Sequence, residues 1–269
     1  MDVKSTYSLN NGRKIPILGF GTWRLTSSES VKAVSHALKS GYRLIDTAAY
    51  YQNEAEVGKA IRESKIHRKD VFVTTKLWNS DHSDPKAAFE KSLAALGLEY
   101  IDLYLIHWPV PERNESWKVL EGLLDSGKVK SIGVSNFTIR HLDELLDSAS
   151  IVPAVNQVEF TPYLYQKELL DYCKKKGIRL EAYAPLTRGS KLADPLLSEI
   201  ASKHKKTAAQ VILRWSIQHG VIPLPKSEKP ARIAENAALF DFQLDDKDMA
   251  MLDSLDEGLR MTWDPEEMK

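Results

Sequence analysis

The sequence predicts an α/β fold, a closed (β/α)8 TIM barrel with an N-terminal β-hairpin plug and a C-terminal helix and tail. Three observations lead there. Short β-rich runs alternate eight times with longer amphipathic stretches, and strands separated by helices lie parallel. Eight such units suit a chain of 269 residues as one closed barrel better than as an open sheet. The run Gly19-Phe20-Gly21-Thr22-Trp23-Arg24 lacks the third glycine of a G-x-G-x-x-G turn, which removes support for an open, doubly wound half-domain. No Gly/Ser linker or low-complexity segment interrupts the pattern, so residues 1–269 read as a single domain.

Each element follows from local chemistry. "YSLNNGRKIP" reads as a hairpin turning at Asn11-Gly12, a favoured two-residue turn pair. "ILGFGT" is the first barrel strand, and "SSESVKAVSHALKSG" a helix stopped at Gly41. "RLID" is the second strand; Asn53 caps the next helix, "EAEVGKAIRES", with Glu56 in the capping-box position. The strand "VFVTTK" is followed by the helix "DPKAAFEKSLAALG", "IDLYLIH" by "ESWKVLEGLLDSG", "VKSIGVS" by "IRHLDELLDSA", and "PAVNQ" by "QKELLDYCKKKG". "IRLEAYA" precedes two helical stretches, "PLLSEIASKH" and "TAAQVILRWSIQHG"; "VIPLP" precedes "ARIAENAALF", and "DKDMAMLDSL" is a last helix.

Composition narrows the function. Lys plus Arg number 37 and Asp plus Glu number 37, so no charge excess favours nucleic acid or an anionic membrane. The one cysteine, Cys173, excludes an internal disulfide and a cysteine metal cage, and reads as a small apolar helix residue. The N-terminus lacks an apolar targeting core, and no stretch approaches membrane-spanning length. A cytoplasmic protein is the expectation.

Barrel active sites lie at the C-terminal ends of the strands. Here those ends carry Asp46, Lys76, His107, Ser135-Asn136, Asn156-Gln157 and Tyr183, and the last strand leads into Lys226-Ser227. Singly, each has an ordinary explanation as a cap, a turn residue or a rim charge. Together they converge on one mouth. Asp46, Lys76 and His107 would meet near Tyr50 or Tyr51. A free phenol ionises near pH 10, and a nearby ammonium lowers that value. Asp46 would hold the ammonium, and a neutral imidazole would orient a carbonyl. This is the chemistry of a proton donor to a carbonyl oxygen. No G-x-S-x-G or H-E-x-x-H run offers a nucleophile or a metal instead. A carbonyl given a proton also needs a hydride, which only a cofactor supplies. Ser135, Asn136 and Gln157 suit a nicotinamide carboxamide, and Tyr183 a stacked ring. Lys226, Ser227 and Arg232 beside a helix start suit a phosphate.

Over nearly its full length the sequence resembles the aldo-keto reductase superfamily, and in its short loops the small microbial type. "GYRLIDTAAYYQNEAEVGKAI", "VFVTTKLW", "YLIHWP", "SIGVSNF", "PAVNQVEFTPY" and "IPLPKSEKPARIAENAALFDF" match family segments in the family's order. The resemblance implies a catalytic tetrad of Asp46, Tyr51, Lys76 and His107, with Tyr51 as the acid rather than Tyr50. It implies cofactor contacts at Gly21, Thr22, Asp46, Ser135, Asn136, Gln157 and Tyr183. At the adenosine end it implies Lys226, Ser227, Arg232, Glu235 and Asn236, with Leu186 and Arg188 near the pyrophosphate. Retention of both Lys226 and Arg232 implies NADPH over NADH. Trp23, Trp78 and Trp108, with His107, would wall the substrate pocket. The segment after Trp108 and the tail "GLRMTWDPEEMK" are short for the family, which implies a shallow, open pocket. The expected protein is a monomeric NADPH-dependent reductase of small aldehydes and ketones. Its rivals are an NADP(H)-sensing, partner-binding barrel with little turnover, and a phosphate-handling barrel isomerase, which leaves "SIGVSNF" without a role.

Overall fold

Strict inside–outside alternation along eight short parallel strands builds the molecule. The structure is a computed structural model and describes residues 1–268. A hairpin comes first: β1 (Thr6–Ser8) pairs antiparallel with β2 (Lys14–Pro16). The barrel strands follow: β3 (Gly19–Gly21), β4 (Leu44–Asp46), β5 (Phe72–Leu77), β6 (Leu103–Ile106), β7 (Ile132–Ser135), β8 (Val155–Glu159), β9 (Arg179–Tyr183) and β10 (Ile222–Pro223). They neighbour one another in sequence order, all parallel. No ladder joins β10 to β3; there the Gly21 amide donates to the Pro225 carbonyl at 3.1 Å.

Among the described residues, ten α-helices surround the strands: α1 (Ser27–Lys39), α2 (Glu54–Glu63), α3 (Pro85–Leu96), α4 (Arg113–Asp125), α5 (Ile139–Leu146), α6 (Lys167–Lys176), α7 (Pro195–His204), α8 (Ala208–Gln218), α9 (Pro230–Ala237) and α10 (Asp246–Asp253). The predicted order of elements is therefore the observed one. Strand residues such as Ile45, Val73, Tyr104, Ile106 and Leu180 face outward and join the large core between sheet and helices. Their alternates Leu44, Phe72, Leu103, Leu105 and Val155 fill the barrel interior. Leu9 and Ile15 of the hairpin belong to that inner cluster, so the hairpin plugs the barrel floor. Where α2 crosses α3 the helices touch backbone to side: a Cβ on Gly58 would lie 1.8 Å from the Leu96 carbonyl oxygen. Cys173 is buried on α6. Among the described residues, no helix is long and apolar enough to cross a membrane.

Two local expectations are corrected. The hairpin does not turn on two residues. Its loop runs from Leu9 to Arg13, closed by Leu9 N–H to Arg13 O at 2.8 Å, with Gly12 left-handed (φ +81°). Asn53 stands before α2 but makes no cap bond there. Its side chain accepts from Thr47 Oγ1 (2.7 Å) and donates to Thr22 O (3.0 Å). The Thr47 hydroxyl and the Thr22 carbonyl are buried loop groups, and buried polar groups need partners.

Candidate active site

Register sets several polar strand-end residues side by side, and alternation turns them inward. Gly21 pairs with Asp46, Ser135 with Gln157, and Gln157 with Glu181. The chain then turns after β4 into a short 3-10 segment, Ala49–Tyr51, whose end Gln52 is left-handed (φ +56°). That turn returns Tyr51 over the barrel mouth.

The centre is an ion pair out of reach of water. Lys76 is wholly buried, yet Nζ donates to Asp46 Oδ1 and Oδ2 at 2.8 Å each and to Thr47 O at 2.9 Å. Its fourth neighbour is the Tyr51 hydroxyl at 3.4 Å. Burial opposes the ammonium, but Asp46 and Tyr51 outweigh it, and the Lys76 pKa lies above the ordinary value. For Tyr51 the expected direction is reversed. Burial of the phenol outweighs the stabilisation from Lys76, with Asp46 adding to the rise, so its pKa is raised. Tyr51 is therefore held protonated, and the Lys76 ammonium beside it is the neighbour that would favour a phenolate there. His107 is pushed well below the usual imidazole value by burial and by Lys76, and stays neutral. Its Nδ1 is buried without a partner. Orphaned N–H groups cost more than orphaned acceptors, which favours the ring proton on Nε2.

A cavity of about 1250 Å³ opens from this centre. Asp46, Tyr51, His107, Trp23, Trp78 and Trp108 line it. Gly21, Ser135, Asn136, Gln157, Tyr183, Leu186 and Arg188 line it too, as do Lys226, Ser227, Arg232, Glu235 and Asn236. Thr22 lies behind the wall, wholly buried, with Oγ1 donating to Asp46 O at 2.9 Å; Lys76 lies beneath the floor. Asn136 is left-handed (φ +64°). Its Nδ2 donates to His107 O (2.9 Å) and Ser135 Oγ (3.1 Å), and its Oδ1 accepts from Tyr183 OH (2.7 Å). Lys226 Nζ is paired with Glu228 at 2.9 Å and Glu235 accepts from Thr207 Oγ1 at 3.0 Å.

Sequence reasoning missed several lining residues. Tyr50 is not a spare phenol. Its ring stacks 3.8 Å from Trp78 and 5.4 Å from Trp23, completing an aromatic wall. The tail is short, yet Met261, Thr262 and Trp263 line the cavity, so the pocket is walled more than its length implied. Buried Glu159 holds the tail there, accepting from Met261 N (2.7 Å) and Thr262 Oγ1 (3.0 Å), and Trp263 packs 5.3 Å from Trp108. Glu181, buried on β9, was also overlooked. The signal was present: in "RLEAY" Glu181 shares the inward face with Tyr183.

Comparison with known proteins agrees with this geometry. A family model described as the aldo/keto reductase family matches residues 17–257. The glyoxal reductase of Bacillus subtilis (strain 168) is 50% identical over 270 residues, 99% of this chain and 98% of that protein. A crystal structure of an aldo/keto reductase from Brucella melitensis superposes with a TM-score of 0.91 at 49% identity, over 94% of this chain and 99% of that one. A Bombyx mori aldo-keto reductase in complex with NADP superposes with a TM-score of 0.93 at 36% identity, over 100% and 98%.

Proposed function

This chain belongs to the aldo/keto reductase family, and from that premise we propose that it is an NADPH-dependent reductase of small aldehydes and ketones with Tyr51 as the proton donor. One observation carries the reading: a wholly buried Lys76 ammonium, fixed by both oxygens of Asp46, stands 3.4 Å from a phenol in the cavity wall. When bound, the dihydronicotinamide supplies a hydride to the carbonyl carbon. The protein supplies the rest. Neutral His107 donates a hydrogen bond to the carbonyl oxygen and sets its direction. Tyr51 gives that oxygen its proton as negative charge develops, and Lys76 stabilises the phenolate left behind. Asp46 keeps Lys76 charged and in place.

The residues present fit the cofactor. The amide protons of Asn136 and Gln157 are already engaged inside the protein and Asn136 Oδ1 already accepts from Tyr183, which leaves the Gln157 oxygen and one lone pair on Asn136 as acceptors for a carboxamide NH2. Tyr183, in the cavity wall, would stack on the ring. Lys226 and Arg232 in the cavity wall suit a 2′-phosphate, and the NADP-bound relative supports that choice. The relative named for glyoxal supports a small dicarbonyl among the substrates, and the rings of Trp23, Tyr50 and Trp78 suit flat conjugated carbonyls. The reductase names of the relatives weigh against a cofactor-sensing barrel of low turnover.

The test is loss of nicotinamide absorbance with a panel of dicarbonyls and aromatic aldehydes. Wild type should turn over, and Tyr51→Phe should bind NADPH normally but lose reduction. Near-wild-type turnover by Tyr51→Phe removes the assignment. Tight NADPH binding without turnover on any carbonyl would return the sensing alternative.

A further inference from the structure

One buried acid has no task in the mechanism above. Glu181 is 0% exposed, inside the barrel, two residues before Tyr183. Its Oε2 accepts from Gln157 Nε2 at 2.8 Å, and its Oε1 has no partner. The same Nε2 donates to Asp46 Oδ2 at 2.8 Å. A side-chain amide has two N–H protons, and here both are committed to carboxyl groups. Gln157, at the cavity wall, is left with only its oxygen to offer.

Resting on the proposed reading, we infer that Glu181 is a positioning residue: it locks the Gln157 amide with its acceptor toward the cofactor site and ties that lock to Asp46 and so to Lys76. With Asp46 as the sole acceptor, one amide proton of Gln157 would be unpaired in the barrel interior. The amide could then rotate and present a donor where the carboxamide NH2 also needs an acceptor. The charged groups facing Glu181 are Asp46 on β4 and Lys76 on β5; Gln157 on β8 is neutral, and its register partner on β10 is Ile222. Burial and the Asp46 charge push Glu181 up to about 8. At neutral pH it is therefore mostly a neutral acid, still able to accept at Oε2. Its ionisation adds a negative charge that pulls on Lys76 and weakens the support Lys76 gives the phenolate.

Two variants test this. Glu181→Leu removes the acceptor and should weaken NADPH binding about tenfold, with a fall in kcat of similar size. Glu181→Gln mimics the neutral acid and keeps an acceptor. At pH 7 it should stay within about threefold of wild type in both quantities, well short of a lost hydrogen bond. The pH profile separates a positioning role from a merely structural one. Wild-type reduction should fall off through about pH 8, and Glu181→Gln should not show that step. The inference is overturned if Glu181→Leu binds and turns over as wild type, or if Glu181→Gln is as impaired as Glu181→Leu at pH 7. It is also overturned if the Glu181→Gln profile superimposes on that of wild type, a result that stands even where Glu181→Leu fails to fold. A wild-type protein that does not oxidise NADPH would instead sink the parent reading.

Discussion

Replacing Lys76 with methionine keeps most of the side-chain volume and removes the charge beneath Tyr51. The 3.4 Å separation of Nζ from the phenol oxygen sets the size of the effect. At an effective dielectric constant of about 20, full unit charges at that distance interact by about 5 kcal/mol. With about half the phenolate charge developed in the transition state, the loss is about 2.5 kcal/mol, or roughly fifty- to a hundredfold in kcat. NADPH affinity should hardly change, because Lys76 lies beneath the cavity floor. Leaving Asp46 buried and unpaired should also cost about 3–5 kcal/mol of stability. Combining Lys76→Met with Asp46→Asn should recover part of that stability and none of the rate. Turnover is read from nicotinamide absorbance under saturating substrate, binding from quenching of protein fluorescence, and stability from urea melts. A folded Lys76→Met protein that binds NADPH normally and keeps kcat within about threefold, far less than the calculated charge effect, would refute the electrostatic account of the acid.

Further outcomes follow from particular residues. Arg232→Ala should weaken NADPH about ten- to a hundredfold, the worth of a charge-assisted contact, and leave NADH nearly unchanged in parallel titrations. His107 has a folded pKa below its unfolded value near 6.5. The unfolded chain therefore binds the proton first, and the stability this group contributes above that pH is lost as pH falls; His107→Gln should flatten the acid side of a melting-temperature profile. Glu181 has the opposite sign, a folded pKa raised from 4.5 to about 8. Its contribution is full below the unfolded value, declines as pH rises from there and is lost once pH passes about 8, and Glu181→Gln should remove that decline. Gly58→Ala places a methyl 1.8 Å from the Leu96 carbonyl oxygen and should cost about 1–3 kcal/mol in a denaturant melt, with kcat retained by the folded fraction.

The strands and their polar ends were legible because an apolar run that stops at Asp46, Lys76 or His107 announces both the strand and the mouth it points to. Glu181 was not, because it lies inside such a run, where only the inward phase of β9 distinguishes it from a sequence accident. The role of Asn53 was lost for a related reason: its partners Thr47 and Thr22 come from other loops, and a local cap motif cannot foresee them. The acidity of Tyr51 depends on two opposed quantities, proximity to Lys76 and depth of burial. Sequence supplied the first and tertiary packing the second, which prevails. Thr262 and Trp263 sit in irregular chain with no periodicity to read, and Glu159 places them.

The joint between the first and last strands is a mechanical part of the barrel. Where β10 meets β3 the hoop of strands is fastened by the Gly21–Pro225 contact rather than by a ladder, and Gly21 and Lys226 both border the cavity beside it. Any occupant touching both residues bridges the opening and closing units of the fold, like a pin through a clasp. Filling the cleft should therefore slow amide exchange all round the ring, including on α1 and α9, which pack against each other across the join.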